Sequence, residues 1–304
     1  MDGKNALISV VVITRHRPHL VADCLRHVFA QDYRPFEVVV VDASDDDATE
    51  QVMASYSQAC YVHLRGAVHQ IPHSRNEGIL RARGDIIAFV DDDSIVQPGW
   101  MRNLVADYSS PQIGGVGGLV LAPEQTARLG GAIPRITQTG SVVGDFDVMT
   151  ASPVEVDHLR GCNMSFRREA LEKVGGFDTL LDQSNFRDET DVCVGVRHAG
   201  FKLIYDPRVA VQHLYSAKEG FERDEWKDRK HYYSIVKNSA YFRLKHFLRL
   251  KTLIAVFIGG PALALIRNAR RQGARGFLLT WTDWMGRAAG GYTFLKSRSR
   301  HGRA

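Results

Sequence analysis

Cysteine is scarce in this chain. Four residues, Cys24, Cys60, Cys162 and Cys193, are spread over 304 positions, and no two form a CxxC pair. That spacing excludes a disulfide framework and a zinc ribbon, and predicts buried thiols in a reducing, cytoplasmic compartment. Long apolar runs are also missing. Leu253–Ile266 carries no charge over 14 residues, but a spanning helix needs about 20, and Gly259-Gly260-Pro261 interrupts the run. Near the N-terminus, the apolar stretch Ile8–Ile13 is too short for the core of a signal peptide and reads as a first strand. That strand is followed by TRHRP and not by GxGxxG, so a dinucleotide-dependent oxidoreductase is disfavoured. No helix-turn-helix, zinc-finger or RNP pattern is present, so nucleic acid is not an expected partner.

What is present is unevenly charged. The net charge of +5 conceals a basic tail: residues 217–304 hold 19 Lys/Arg against 6 Asp/Glu, while residues 1–216 hold 20 against 28. The front reads as an acidic body and the tail as a basic appendage.

The body alternates two periodicities. Strand patterns at Ile8–Ile13, Glu37–Val41, Tyr61–Leu64 and Ile86–Val90 are separated by helix patterns at Pro18 to Gln31, Asp46 to Ser57 and Ser74 to Ala82. Ser74 and Glu77 have the spacing of a capping box. This order predicts an α/β fold with a mostly parallel sheet flanked by helices. Further on, Pro98 opens a short helix, and the glycine-dense Gly114–Gly118 runs into a strand at Val116–Leu121. Those glycines precede a strand, so close backbone packing is expected in place of a phosphate cradle. Residues 122–155 read as a long irregular segment. Helices follow at Arg168–Val174 and Asp188–Ala199, then a strand at Phe201–Tyr205 ended by Asp206-Pro207.

The chemistry concentrates at strand ends. Asp91, Asp92 and Asp93 close the apolar run IIAFV. Three adjacent carboxylates repel one another, and a cation removes that cost. A hard divalent ion held this way completes its shell with water and substrate phosphate. An isolated triplet can also be an acidic turn capping the next helix. Here Thr14 and Arg15 follow the first strand, Asp42 follows the second, and Arg75 and Asn76 open the third helix, all at the same edge of a parallel sheet. Asp42 suits a ribose or base N–H, and Arg75 suits a phosphate.

Seven stretches now fall into register: VVITRHRP, EVVVVDAS, SRNEGI, GDIIAFVDDDSIVQPGW, RGCNMSFRREALEKVGGFD, ETDVCVGVRHAGFKLIYDP and VAVQHLY. Together, from residue 8 to 215, they resemble a family 2 glycosyltransferase with the GT-A fold. The resemblance implies a catalytic domain over 1–216, with a nucleotide-binding half (1–98) and an acceptor-binding half (99–216), and a helical C-terminal region over 217–304. It implies metal-dependent inverting transfer of a sugar from a nucleotide-diphospho-sugar, UDP or dTDP, to a hydroxyl of a glycan, a lipid-linked or a small-molecule acceptor. Asp91 and Asp93 would form the DxD pair, with Asp93 and His213 at a Mn2+ or Mg2+ ion. Thr14, Arg15, Asp42, Arg75, Asn76, Asp91 and Asp92 would line the nucleotide. Gly161, Cys162, Asn163 and Asp191 would line the donor-sugar and acceptor pocket, with Asp191 as a helix anchor. The family's Glu-Asp pair is exchanged here into Asp188-Glu189, and Glu189 is the expected base, with Asp188 second.

Two rivals stand beside this reading. FVDDDSIV resembles the hhhDxDx[TV] motif of haloacid-dehalogenase phosphotransferases, although that motif follows a first strand and this one follows a fourth. The exchanged acids also fit a nucleotide-binding subunit without turnover. In the tail, residues 221–247 interleave Trp226, Tyr232, Tyr233, Tyr241, Phe242 and Phe247 with Lys and Arg. A core helix is one reading. The other is peripheral attachment to an anionic membrane on its cytoplasmic face, through a surface-lying or re-entrant helical pair.

Overall fold

Apolar runs such as VVVI, VVVV and IIAFV need cover on both faces, and the structure supplies it. The computed structural model describes residues 6–65, 71–181, 183–184, 186–214 and 229–301, with backbone alone at 267–277 and 300–301. The chain divides into two units. One comprises Met1–Arg135, Val143–Asp178 and Glu189–Lys218; the other comprises Ile136–Val142, Thr179–Asp188 and Glu219–Ala304. The second unit thus takes two stretches, 136–142 and 179–188, from within the body expected at 1–216.

The first unit is built on β1 (Ile8–Thr14), β2 (Phe36–Asp42), β3 (Cys60–His63), β4 (Ile86–Asp91), β5 (Ser94–Val96), β6 (Ile113–Leu121), β11 (Val154–Val156), β12 (Met164–Arg167) and β13 (Lys202–His213). Two-residue strands β7 (Arg128–Leu129), β8 (Arg135–Ile136), β9 (Val142–Val143) and β10 (Val148–Met149) punctuate the irregular segment. The sheet runs β11-β13-β6-β12-β4-β1-β2-β3, with β5 paired to β13. The β3-β2-β1-β4 half is parallel, whereas β12 enters antiparallel between β4 and β6.

Side chains alternate across this sheet. Val10, Val12, Val38, Val40, Ile86 and Val90 face one core with α1 (Pro18–Phe29) and α4 (Trp100–Asp107). Val11, Val39, Val41, Ile87 and Phe89 face the other with α5 (Arg168–Val174) and α6 (Asp188–His198). Burial on both sides explains why the strands read as continuous apolar runs. Pro18 sits in the first turn of α1, where its missing N–H costs nothing.

Several boundaries differ from expectation. The second helix, α2, is only Ala48–Met53, and Tyr56 beyond it is pinned through its hydroxyl to the Ala22 carbonyl at 3.1 Å. The third, α3, spans Ile71–Arg81, so Ser74 is a buried interior residue and not a cap. Asp206-Pro207 does not end β13. The strand bulges there and rejoins β6 at Val211, which removes a proline without an N–H from the ladder. Gly118 lies beneath this bulge, where a Cβ would collide with the carbonyls of Asp206 and Val209, so close packing accounts for it. Cys24, Cys162 and Cys193 are buried, but Cys60 is exposed on the edge strand β3.

The second unit contains α7 (Arg229–His246), α8 (Leu250–Ile254), a π-helical turn (Ala255–Gly259) and α9 (Gly260–His301). The helical run continues through Gly259-Gly260-Pro261, but the chain folds back further on, as the expected helical pair does: Gly260 lies against Arg287 and Phe257 against Gly291, so the start of α9 packs antiparallel to its later part. The π turn absorbs the proline, and the Val256 carbonyl accepts from Arg287 Nη1 at 2.9 Å. Among the described residues, no helix is long and apolar enough to cross a membrane. Residues 221–228 of the basic, aromatic stretch, including Trp226, lie outside the described residues, as does Tyr215.

Candidate active site

The parallel strands deliver their chemistry to one rim. Register pairs Thr14 with Asp42 and Ile13 with Asp91, so β1, β2 and β4 end together. The chain progresses outward from β1 to β3 and then returns to the other side of β1 with β4. That reversal makes a topological switch point between β1 and β4, where open α/β sheets take ligands.

A later strand completes the rim. β13 pairs antiparallel with β5, setting His213 opposite Ser94. The Leu214 N–H donates to the Asp93 carbonyl at 2.8 Å. His213 Nε2 then lies 3.0 Å from Asp93 Oδ1. From β1, the Thr14 hydroxyl donates to Asp92 Oδ2 at 2.7 Å. From the start of α1, Arg17 Nη1 reaches both Asp92 (3.3 Å) and Asp93 (3.1 Å).

The three carboxyls end in different states. Burial raises Asp91, and Arg75 opposes that shift. Burial, with the charges of Asp93 and Asp91, pushes Asp92 up to about 7 against Thr14 and Arg17. Burial also works to raise Asp93, but His213 and Arg17 outweigh it and hold Asp93 below the usual range. Burial lowers His213, yet its hydrogen bond to Asp93 leaves it above its ordinary value. Unequal neighbours thus separate three chemically identical groups.

The other wall comes from α3, α6 and the turn before β12. Buried Arg75 places Nη2 3.5 Å from Asp91 Oδ1 and 3.4 Å from the Gly161 carbonyl, with its guanidinium over the Phe177 ring at 5.3 Å. Gly161 has no room for a side chain: a Cβ would stand 2.7 Å from Glu189 Oε2 and 2.8 Å from Arg75 Nη2. Asp91, Arg75, Gly161 and Glu189 therefore form one continuous line. Arg160 is half-buried beside it; burial lowers its pKa, but Glu189, Cys162 and Asp91 raise it further.

One ligand atom each from Asp91, Cys162 and His213 lies within 4.8 Å of the other two. Carboxylate and imidazole donors suit Mn2+, and carboxylate oxygens suit Mg2+. The residues present fit a divalent cation, with Asp93 adjoining His213.

The structure thus gathers Thr14, Asp91, Asp92, Asp93, His213, Arg75, Gly161, Cys162 and Glu189. It engages others elsewhere. Arg15 pairs with Asp45 at 3.9 Å, on the rim's outer side. The Asn76 amide clamps the Phe177 backbone, donating to its carbonyl and accepting from its N–H, both at 2.8 Å. Asn163 is fully buried and turned into the core: it accepts from Trp100 Nε1 at 2.9 Å and donates to the Leu119 and Val209 carbonyls. Asp42 is fully buried, with Ser44 donating to Oδ1 and Tyr61 to Oδ2. Asp188 and Asp191 are buried on α6. Arg17 and Arg160 were missed. In RHRP the two arginines alternate, and only the turn into α1 decides which one faces the aspartates; for Arg160, its place beside Gly161 was the available signal.

Comparison with known proteins bears on what this rim belongs to. Residues 9–175 match the model of "Glycosyl transferase family 2". A glucosyl-dolichyl phosphate glucuronosyltransferase of Haloferax volcanii is 29% identical over 217 residues, 68% of each chain. Two longer curated relatives are matched over only 26% and 17% of their length. Among solved structures, a Pyrobaculum calidifontis mannosyltransferase in complex with GDP-Man and Mn2+ superposes with TM-score 0.58 at 19% identity, over 96% of this chain and 87% of that one. GalNAc-T7 with UDP, GalNAc and Mn2+ gives TM-score 0.63 at 15% identity, over 88% and 52%. These likenesses establish the GT-A fold and set aside the phosphotransferase reading. With the family model spanning more than half of it, the chain belongs to glycosyl transferase family 2 and is a glycosyltransferase.

Proposed function

We propose that this enzyme catalyses metal-dependent, inverting transfer of a sugar from a nucleotide-diphospho-sugar, UDP- or dTDP-linked, to an acceptor hydroxyl in glycan, polysaccharide or glycolipid synthesis. The observation that carries the reading is the continuous line from His213 and Asp93, through Asp91 and Arg75, to Glu189 at the β1/β4 switch point. On this reading the line has a cation-binding end at Asp93 and His213 and an acid–base end at Glu189.

Asp91, Asp93 and His213 would hold Mn2+ or Mg2+, which when bound supplies the positive charge that stabilises a leaving diphosphate. Thr14 and Arg17 orient Asp92 and shield the cluster's repulsion. Glu189, with Asp188 as second candidate, takes the proton of the acceptor hydroxyl. The acceptor oxygen bonds to the anomeric carbon as the bond to the diphosphate oxygen breaks on the opposite face, which inverts the configuration. Cys162 and the Gly161 backbone line the space beside the sugar. The nearby solved structures carry GDP-Man or UDP, so guanosine belongs in the donor screen beside uridine and thymidine. We also assign the enzyme to the cytoplasm, with its basic helical region at an anionic membrane surface on the cytoplasmic face.

A thermal-shift screen of nucleoside diphosphates, with and without Mn2+, tests the reading, because stabilisation follows ligand affinity through mass action. One diphosphate should stabilise the protein strongly and only with the metal. Equal shifts without metal, or none with any nucleotide, would contradict it.

A further inference from the structure

The packing of α7 against α9 is inverted relative to a water-soluble helix pair. The face of α9 turned toward α7 is mostly small and polar, with Leu279 packed on Tyr232 and Val236 as its apolar contact. Asp283 is buried there, accepting from the Tyr232 hydroxyl at 3.0 Å and from Arg287 Nε at 2.5 Å. Gly286 and Gly290 let the helices approach: a Cβ on either would stand within 3.0 Å of the Tyr233 or Lys237 carbonyl. The opposite face carries Leu278, Trp281, Trp284, Met285, Tyr292 and Leu295, each between 46% and 68% exposed. At 3.6 residues per turn these six fall within an arc of about 120°. Leu250, Ile258, Leu263 and Ile266, on the stretch around the Val256–Gly260 segment that packs back against Arg287 and Gly291, are each more than half exposed. Small and polar residues between helices with large apolar residues outside is the arrangement of helices solvated by lipid. A patch this long on a protein in water marks an interaction surface.

The charges select the occupant. Residues 229–301 contain 15 Lys/Arg and one acid, Asp283, which is buried. A second copy of the same surface would bring like charges together. An anionic bilayer complements both the cations and the stripe. Among the described residues no helix is long and apolar enough to cross a membrane, and the Trp and Tyr of the stripe suit the headgroup level of a surface-lying helix. A recess of ≈ 700 Å³ opens beside the stripe, lined by Arg229, Lys230, Tyr233, Trp281 and Met285 among others. Two cations beside apolar walls suit one lipid phosphate whose chains continue along the stripe.

We infer that the helical unit docks in the plane of an anionic lipid bilayer through the Leu278–Leu295 stripe of α9, with a phosphate headgroup seated at Arg229 and Lys230. This rests on the membrane reading of the helical region given above, and not on the transfer chemistry.

Flotation of the full chain with vesicles of phosphatidylcholine alone, or mixed with phosphatidylglycerol, tests it. Binding to the mixed vesicles should be at least about tenfold stronger than to the neutral ones and should weaken at high salt. A Trp281→Glu/Trp284→Glu variant should lose at least about tenfold in that binding while keeping its Tm. Brominated lipids should quench the tryptophan emission of the parent and quench a Trp281→Phe/Trp284→Phe variant far less. No binding, equal binding to neutral vesicles, or full binding by the Glu variant would overturn the inference. So would a dimer in equilibrium sedimentation that the Glu variant dissociates, since the stripe would then belong to a second copy. The assay reads binding alone, so a failed donor screen and a failed flotation remain separate results.

Discussion

Glu189 and Asp188 are neighbours in sequence with different surroundings. Glu189 lies beside Gly161, on the line that leads through Arg75 to Asp91. Asp188 is 2% exposed at the start of α6. Glu189→Gln should therefore lower kcat by about 10²–10⁴ while nucleotide affinity stays within about threefold. An active Gln variant, read in a transfer assay, would move the base to Asp188. Arg17 makes a second, sharper case. It is the guanidinium that neutralises Asp92 and Asp93. Because the arginine is part-exposed, its loss should shift affinities only a few-fold. Arg17→Ala should tighten Mn2+ binding on its own, by removing a competing cation. It should weaken binding of the nucleoside diphosphate, by removing positive charge from the phosphate side; isothermal titration of each ligand distinguishes the two. Residue type and strand-end position pointed to the aspartates in the sequence, whereas His213 was read only through the resemblance of VAVQHLY. Which polar side chain turns outward was not legible, since Asn163 and Asn76 satisfy core carbonyls and a turn that only tertiary packing creates.

At the scale of elements, runs such as VVVV and IIAFV disclosed strands buried on both faces, and the glycines disclosed close packing. Interruptions were harder to read, because proline only forbids an N–H and leaves the chain free to bulge or to insert a π turn. At the Asp206-Pro207 bulge, Arg208 Nη2 grips Asp206 Oδ2 at 2.6 Å and stands 3.6 Å from Asp107 Oδ1 at the end of α4. Burial, with the charge of Asp206, holds Asp107 above the usual carboxylate range. A carboxyl raised on folding binds more protons in the native than in the unfolded state between the two pKa values. Its contribution is therefore complete below about pH 4 and is lost as pH rises through the raised value. Asp107→Asn removes that slope. Its stability relative to the parent should climb between pH 4 and neutrality, by on the order of 1 kcal/mol. Denaturant titrations at several pH values would detect it, and a constant difference across that range would contradict the assignment.

Over the whole molecule, one chain couples an acidic body to a basic tail, and the sequence already displayed that polarity in its charges. It did not display the second unit's recruitment of residues 136–142 and 179–188, because distant segments join a unit only through contacts that no local pattern encodes. Nor did it display the outward-facing apolar stripe, since periodicity reveals an amphipathic helix but not which face is buried. On the proposed reading, the body's function would depend on a single electrostatic arrangement: carboxylates at the rim of a parallel sheet, with His213, Arg17 and Arg75 among them, that would accept a divalent ion and through it a diphosphate. Electron paramagnetic resonance of Mn2+ reads this directly, because the free ion's six-line signal falls as the ion binds. The signal should fall on adding the protein, fall further with UDP or whichever diphosphate the thermal screen selects, and stay near the free-ion level with Asp93→Ala. Binding of Mn2+ by Asp93→Ala as tight as by the parent, with the same response to nucleotide, would contradict the account.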